Sequence, residues 1–229
     1  MDIFRTLNIR SAPGHSEPQR IEARKIFVIG FHKTGTTSLD TLFRSVGLNS
    51  VHTTIPVLSI IDKYDAYTDG SHEKEKFAKY YAKYPNSLFI LNTRPINKWL
   101  ISKYKHAKQS GFVNKSFWPP SDEKTYGWID NRETHYNNIL RFFKDKPRQL
   151  MIVNIERHGW EKAVLKYIEK RAPTTRVHLN KRSDDVLSNN KMTLISDIVT
   201  SCLETRDYTG DELLLKDIDL SQYNYTMFL

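Results

Sequence analysis

The stretch KIFVIGFHKTGTTSLDTLF, residues 25–43, decides how the chain folds. Its first half, residues 26–30, is a short apolar run that ends in glycine, which is typical of a buried strand. Its second half spaces apolar residues like one face of a helix: Leu39, Leu42, Phe43 and Val46. Gly47 is expected to end that helix. The stretch therefore predicts a strand, a glycine-containing loop and a helix.

The same alternation continues along the chain. Further strands are predicted at 66–69, 87–93 and 150–154. Helices are predicted at 72–84, 97–108, around 136–143, around 160–168 and at 184–204, and residues 110–130 are interpreted as a loop. Strands that alternate with helices predict an α/β fold with a central parallel sheet flanked by helices. Ligands of such sheets bind at the carboxyl ends of the strands.

The predicted organisation is a single α/β domain with additions at both ends. Residues 1–24 are polar and are interpreted as an N-terminal arm. Residues 25–183 form the α/β domain, and residues 184–229 are expected to add a helix and a tail that pack on the same domain.

Composition limits the classes of function. The 229 residues carry a net charge of +9, which favours anionic ligands, yet no nucleic-acid-binding signature occurs, so no nucleic-acid partner is expected. The one cysteine, Cys202, excludes an intrachain disulfide. No run approaches the ~18 apolar residues of a membrane span, and residues 1–20 lack the apolar core of a secretory signal. We expect a soluble, cytoplasmic protein.

The loop between the first strand and helix is close to a phosphate-binding loop but has a displaced lysine. A Walker A motif reads G-x-x-x-x-G-K-[ST]. Gly30 and Gly35 have the right spacing, and Thr37 stands in the Ser/Thr position. Thr36 stands where the lysine belongs, and Lys33 lies inside the loop instead. Backbone N–H groups still suit an anion, but the cation approaches it from another side.

This arrangement, HKTGTTSL at 32–39, resembles the 5′-phosphosulfate loop of sulfotransferases, whose donor is 3′-phosphoadenosine 5′-phosphosulfate (PAPS). The resemblance implies a P-loop-like three-layer sandwich. It also implies that the loop binds the donor through His32, Lys33, Thr34, Gly35, Thr36, Thr37 and Ser38. Lys33 would stabilise charge on the oxygen that bridges phosphate and sulfate.

A second anion site follows the strand at 87–93. Sulfotransferases recognise the 3′-phosphate with an arginine at the end of a later strand and a serine about eight residues on. Arg94 and Ser102 match these two positions, and Pro95 and Trp99 lie between them as in the family. An ATPase would be expected to carry an acid at such a strand end, and Thr93-Arg94 there counts against Mg²⁺-dependent ATP hydrolysis.

The resemblance extends from about residue 25 to 182, through the segments YTDGSH (67–72), MIVNIERHGWEKAVLKYI (151–168) and RVHLNKR (176–182). One departure is Gly70-Ser71, where compact relatives carry Trp-Pro after the aspartate. His178, Asn180, Lys181 and Arg182 are expected near the nucleotide. Trp118 and Trp128 are expected either to cover a ligand or to pin their loop to the core.

The function implied is transfer of a sulfuryl group from PAPS to a hydroxyl or amine of a small-molecule or carbohydrate acceptor, which leaves adenosine 3′,5′-bisphosphate (PAP). No metal is expected. A general base removes the acceptor's proton. Asp69 is the first candidate and His72 the second; His52 and His32 are further candidates.

Two other classes of function stay open. One is a P-loop nucleotide kinase or NTPase, which would bind Mg-ATP. The other is a non-catalytic module that binds a nucleotide or a polyanion, for which binding would fall steeply with salt and Lys33→Ala would affect no chemistry.

Overall fold

A computed structural model describes residues 24–52, 57–69, 76–109, 119–171, 189–206, 223 and 226–227. Six strands lie in these ranges: β1 (Ile26–Val28), β2 (Ser50–Val51), β3 (Ala66–Tyr67), β4 (Leu88–Thr93), β5 (Leu150–Asn154) and β6 (Thr226–Met227). The α-helices are α1 (Thr36–Ser45), α2 (Lys76–Lys83), α3 (Ile96–Gln109), α4 (Asp122–Phe143), α5 (Trp160–Tyr167) and α6 (Asn189–Thr205).

The six strands form one sheet in the order β2-β3-β1-β4-β5-β6, and every neighbouring pair is parallel. The chain leaves β1 toward β2 and β3 on one side and then crosses to β4 on the other. The carboxyl end of β1 is therefore a point where successive connections diverge, and open parallel sheets bind ligands at such a point.

Helices cover both faces of the sheet because side chains alternate between the faces along each strand. On one face, Phe27, Phe89 and Ile152 pack with residues of α2 and α4. On the other face, Val28 and Ile90 pack with α1 and α5. The α/β fold with a central parallel sheet flanked by helices is thus confirmed. A third cluster joins α6 to α3 and α4.

The interpretation of residues 110–130 as a loop is wrong from Asp122 onward, because α4 begins there. The Ser121 side chain caps this helix by accepting a hydrogen bond from Lys124 N, and Asp122 and Glu123 lie in its first turn. Trp128 therefore lies on a helix rather than a loop. Residues 110–118, and the predicted starts of the helices at 72 and 184, lie outside the described residues.

Two strands were not predicted, and both are only two residues long: β2 and β6. The predicted end of α1 is confirmed, since Gly47 has a φ of 78° and its N–H donates to Arg44 O. Among the helices of the described residues, none combines the length and the hydropathy needed to cross a membrane.

Candidate functional site

The loop at the carboxyl end of β1 has an unusual backbone. Lys33 has a φ of 67° and Gly35 a φ of 97°, both in the left-handed region. A lysine rarely adopts this conformation, and such strain is typical of functional loops. Gly35 is the residue that precedes the first turn of α1. The chain therefore bends sharply twice before the helix starts.

The buried amide of Asn92, on β4, holds this loop in place. Asn92 Oδ1 accepts from Gly30 N at 3.0 Å. Asn92 Nδ2 lies 3.1 Å from Thr34 O and 2.6 Å from Thr34 Oγ1. Both side chains are fully buried. We call Gly30, Thr34 and Asn92 the cradle. Sequence reasoning missed Asn92, although a lone amide directly after the apolar run 88–91 was a signal.

Gly30 is required for steric reasons. A Cβ at this position would lie 2.2 Å from Asn92 O and 2.3 Å from Asn92 Oδ1. Contacts that short do not occur, so any side chain at position 30 would push β4 and the loop apart. The close contact with Asn92 thus explains why the first glycine of the motif stands at position 30.

The start of α1 is electropositive. The N–H groups of its first turn point out of the helix end without partners in the helix, which creates a partial positive charge. No acidic residue lies in that turn. Lys33 precedes it by three residues and adds a full charge. This end of the helix is suited to an anion.

Two helices fix the loop and the strand ends from one side. Trp99 Nε1 on α3 donates to His32 O at 3.1 Å. On α4, the buried Arg132 donates from Nη2 to Arg94 O at 2.7 Å. The buried His135 places Nε2 2.7 Å from Ile29 O. These polar contacts reach the carboxyl ends of β1 and β4, and they were not predicted.

His52 and Asp69 meet on the other side of the loop. His52 Nε2 lies 3.5 Å from Asp69 Oδ2 and 3.3 Å from Thr37 Oγ1. His52 Nδ1 lies 3.2 Å from Thr68 Oγ1. The first-choice base and a further candidate therefore stand together beside α1. Asp69 also follows β3, a neighbour of β1, so an acid lies near one strand end although none ends β4.

A charged cluster occupies the ends of β4 and β5. Arg94 Nε donates to Glu156 Oε1 at 2.6 Å, and Lys98 Nζ donates to Glu156 Oε2. Burial raises the pKa of Glu156, but the hydrogen bonds from Lys98 and Arg94 outweigh it and leave the pKa below its usual range. We call Arg94, Lys98 and Glu156 the charged cluster. Only Arg94 was predicted.

Lys103 lies behind the loop among aromatic rings. Its Nζ is 4.4 Å from the ring centre of Trp128, 5.0 Å from that of Trp99 and 5.9 Å from that of Phe31. Burial lowers the pKa of Lys103 to about 7. Trp128 therefore packs against α3 and a buried amine, and it does so from a helix rather than from the predicted loop.

The predicted site residues fall into three groups. Residues 32–38, His52 and Asp69 surround the start of α1, and Arg94 lies beyond it at the end of β4. Ser102 lies on α3 and is partly exposed. His72, Trp118 and residues 178–182 lie outside the described residues. Within the described ranges, no group of three or more His, Cys, Asp or Glu side chains is arranged to hold a metal ion.

Comparison with known proteins does not assign the chain to a family. No protein-family model matches the chain, and no curated protein matches it.

Proposed function

We propose that the protein is a sulfotransferase that moves a sulfuryl group from PAPS to a hydroxyl or amine of a small-molecule or carbohydrate acceptor. The observation that carries the proposal is the geometry of the loop between β1 and α1. The loop presents the free N–H groups of α1 beside a lysine in the left-handed conformation, with no acid in the first helical turn. This combination suits an anionic group such as a phosphosulfate.

The distribution of cations supports a donor with two anionic ends. Lys33 lies at the loop, and Arg94 lies one strand away at the end of β4. Among the described residues, the Arg94 side chain donates only through Nε, to Glu156. A guanidinium has five N–H donors, so its Nη groups are left for phosphate oxygens. We assign Arg94 and Ser102 to the 3′-phosphate.

In the proposed reaction the acceptor oxygen or nitrogen bonds to sulfur while the bond from sulfur to the 5′-phosphate oxygen breaks. Lys33 stabilises the charge that develops on this leaving oxygen. The loop N–H groups and the Thr36 and Thr37 hydroxyls hold the 5′-phosphate in position. Catalysis then depends on orientation and on fixed charges, as in phosphoryl transfer.

The acceptor's proton goes to the pair formed by His52 and Asp69. The two side chains lie 3.5 Å apart, and His52 also contacts Thr37 Oγ1 at 3.3 Å. A carboxylate beside an imidazole orients the ring and stabilises the cation that forms when the ring accepts a proton. We therefore place His52 as the base and Asp69 as its partner, which changes the order of the two candidates.

A nucleotide kinase is the second candidate, because one observation favours it. Kinases with P-loops hold Mg²⁺ with the loop Ser/Thr and with an acid at a neighbouring strand end. Thr37 and Asp69 occupy comparable positions on either side of His52. The position of the lysine is evidence against this function, because Thr36 stands where a P-loop kinase has its phosphate-binding lysine.

The test is turnover of both donors by the same protein. PAPS with a radioactive sulfate is incubated with phenols, alcohols, amines and sugars, and ATP with a radioactive γ-phosphate is incubated with the same panel and Mg²⁺. We expect labelled sulfate on an acceptor, with one PAP formed for each. A protein that consumes Mg-ATP and leaves PAPS intact would be a kinase.

A further inference from the structure

The Glu156 carboxylate accepts hydrogen bonds from both cations of the charged cluster. Arg94 Nε binds Oε1 and Lys98 Nζ binds Oε2, so the two carboxylate oxygens bridge the two cations. The Glu156 N–H in turn donates to Asn154 Oδ1 at 3.0 Å, which fixes the residue at the end of β5. This bond fixes the backbone from which the Glu156 side chain reaches the two cations, at the end of β4 and on α3.

A phosphate group can be bound by the same two cations, Arg94 and Lys98. Two oxygens of a phosphate span a distance similar to those of a carboxylate, and arginine with lysine is a common pair for either anion. The Glu156 side chain is 22% exposed, and those of Arg94 and Lys98 are 29% and 54% exposed. Lys98 is the most exposed of the three, so water can stabilise its separated charge and its ion pair with Glu156 can be exchanged at low cost.

We infer that Glu156 is a built-in competitor for the 3′-phosphate and that Lys98 belongs to the 3′-phosphate subsite together with Arg94. This inference rests on the proposed function. A 3′-phosphate can bind the Arg94 Nη groups while Nε keeps its bond to Glu156, but it competes with the carboxylate for Lys98 Nζ. The negative charge of Glu156 repels the phosphate in either case. Glu156 therefore weakens retention of PAP and favours its release, while 5′-AMP, which lacks the 3′-phosphate, is unaffected.

The experiment is calorimetric titration of wild type, Glu156→Gln, Lys98→Ala and Glu161→Gln with PAP and with 5′-AMP. Glutamine keeps the size of Glu156 and removes its charge. Glu161 on α5 is a matched control, because Glu161→Gln changes the net charge equally and Glu161 lies outside the charged cluster. We expect Glu156→Gln to bind PAP about 3- to 10-fold more tightly. Lys98→Ala should bind PAP about 3- to 10-fold more weakly. Neither variant should change the affinity for 5′-AMP by more than about 2-fold.

The outcomes separate the two hypotheses. If wild type prefers PAP to 5′-AMP but Glu156→Gln binds PAP like Glu161→Gln, the competitor role is wrong and the proposed function stands. Weaker PAP binding by Glu156→Gln would show that Glu156 positions Arg94 instead, which also overturns the inference. A wild type that does not prefer PAP to 5′-AMP overturns the assignment of the 3′-phosphate subsite and the inference with it.

Discussion

The cradle and the charged cluster lie on neighbouring strand ends, yet they are built in opposite ways. The cradle is neutral and buried: Asn92 and Thr34 have no exposed surface, and their hydrogen bonds join β4 to the loop of β1. The charged cluster is partly exposed and consists of one carboxylate between two cations. Buried neutral hydrogen bonds hold a backbone rigidly, because leaving them unmade is expensive.

Exposed ion pairs contribute little to stability and exchange readily. The comparison shows that different residues fix the backbone of the loop and supply the positive charges at the strand ends. The cradle sets the shape of the loop that we propose binds an anion, whereas the charged cluster leaves its cations available to a ligand that can compete for them. Substitutions in the cradle should therefore damage folding, and substitutions in the charged cluster should change ligand affinity.

The largest effect is expected from Lys33→Ala, because Lys33 is the charge that the rigid loop carries. Loss of one group that stabilises developing charge lowers a rate by about 10²–10³-fold. We expect this fall in sulfuryl transfer with an unchanged circular dichroism spectrum. Lys79→Ala, at an exposed position of α2, removes the same charge and should transfer at the wild-type rate. Wild-type turnover by Lys33→Ala would remove Lys33 from the mechanism.

Gly30→Ala should break the cradle. Its Cβ would meet Asn92 O at 2.2 Å, so the loop and β4 must separate. We expect a loss of about 3 kcal/mol in the free energy of unfolding, measured by urea denaturation.

Gly127→Ala is the matched control, because a Cβ there meets nothing within 4 Å and the residue lies inside α4. Alanine in a helix should raise stability there by about 1 kcal/mol. Equal stability of Gly30→Ala and wild type would show that the close approach of Asn92 does not restrain the loop.

Arg94→Ala should act on binding and leave the fold stable. Charge-assisted hydrogen bonds contribute about 1.5–3 kcal/mol, so PAP affinity should fall about 10- to 100-fold. The affinity for 5′-AMP should change little. Arg148→Ala, an exposed arginine before the amino end of β5, controls for net charge. Equal losses of PAP and 5′-AMP affinity would show that Arg94 does not recognise the 3′-phosphate.

The effect that is smallest per pH unit concerns Lys103, which lies behind the loop and should make stability depend on pH. Burial lowers the pKa of Lys103 from 10.5 to about 7, so between these values the unfolded chain binds the extra proton. Stability therefore rises with pH in that window, by at most about 1.4 kcal/mol per pH unit. Lys103→Met should remove this rise, as followed by urea denaturation between pH 7 and 9.5.

Lys105→Met on the same helix is the control and should keep the wild-type rise. The measurements stop at pH 9.5 because two buried tyrosines affect stability above pH 10. Burial raises the pKa of Tyr67 and of Tyr80 to about 12, so their stabilisation is present below pH 10 and is lost above it, which opposes the effect of Lys103. A profile of Lys103→Met that parallels wild type would mean that the amine is charged in the fold.

The sequence predicts what depends on local pattern. The strand, loop and helix of residues 26–45 follow from periodicity and glycine spacing, and so does the fold class. The start of α4 was missed because the prolines and aromatic residues of 110–130 are typical of a loop, although Ser121, Asp122 and Glu123 form a helix-cap pattern. Two-residue strands such as β2 and β6 are too short to show any period.

The candidate site was only partly predictable, because its internal contacts are long-range. Asn92 meets Gly30 across 62 positions, and Arg94 meets Glu156 across 62 positions as well. Arg132 and His135 on α4 contact backbone carbonyls of distant strand ends, for which no side-chain motif exists. Such residues become visible only when the sheet order brings the strand ends together.

The measurement that tests the central claim most directly is calorimetric titration of the protein with PAP and with ATP, each with and without Mg²⁺. The loop geometry, with Lys33 inside and Arg94 one strand away, predicts tight binding of PAP that does not depend on Mg²⁺. Preference for Mg-ATP would contradict the account and make Thr37 and Asp69 ligands of a kinase's magnesium. Binding of neither nucleotide would contradict it too and favour a non-catalytic module.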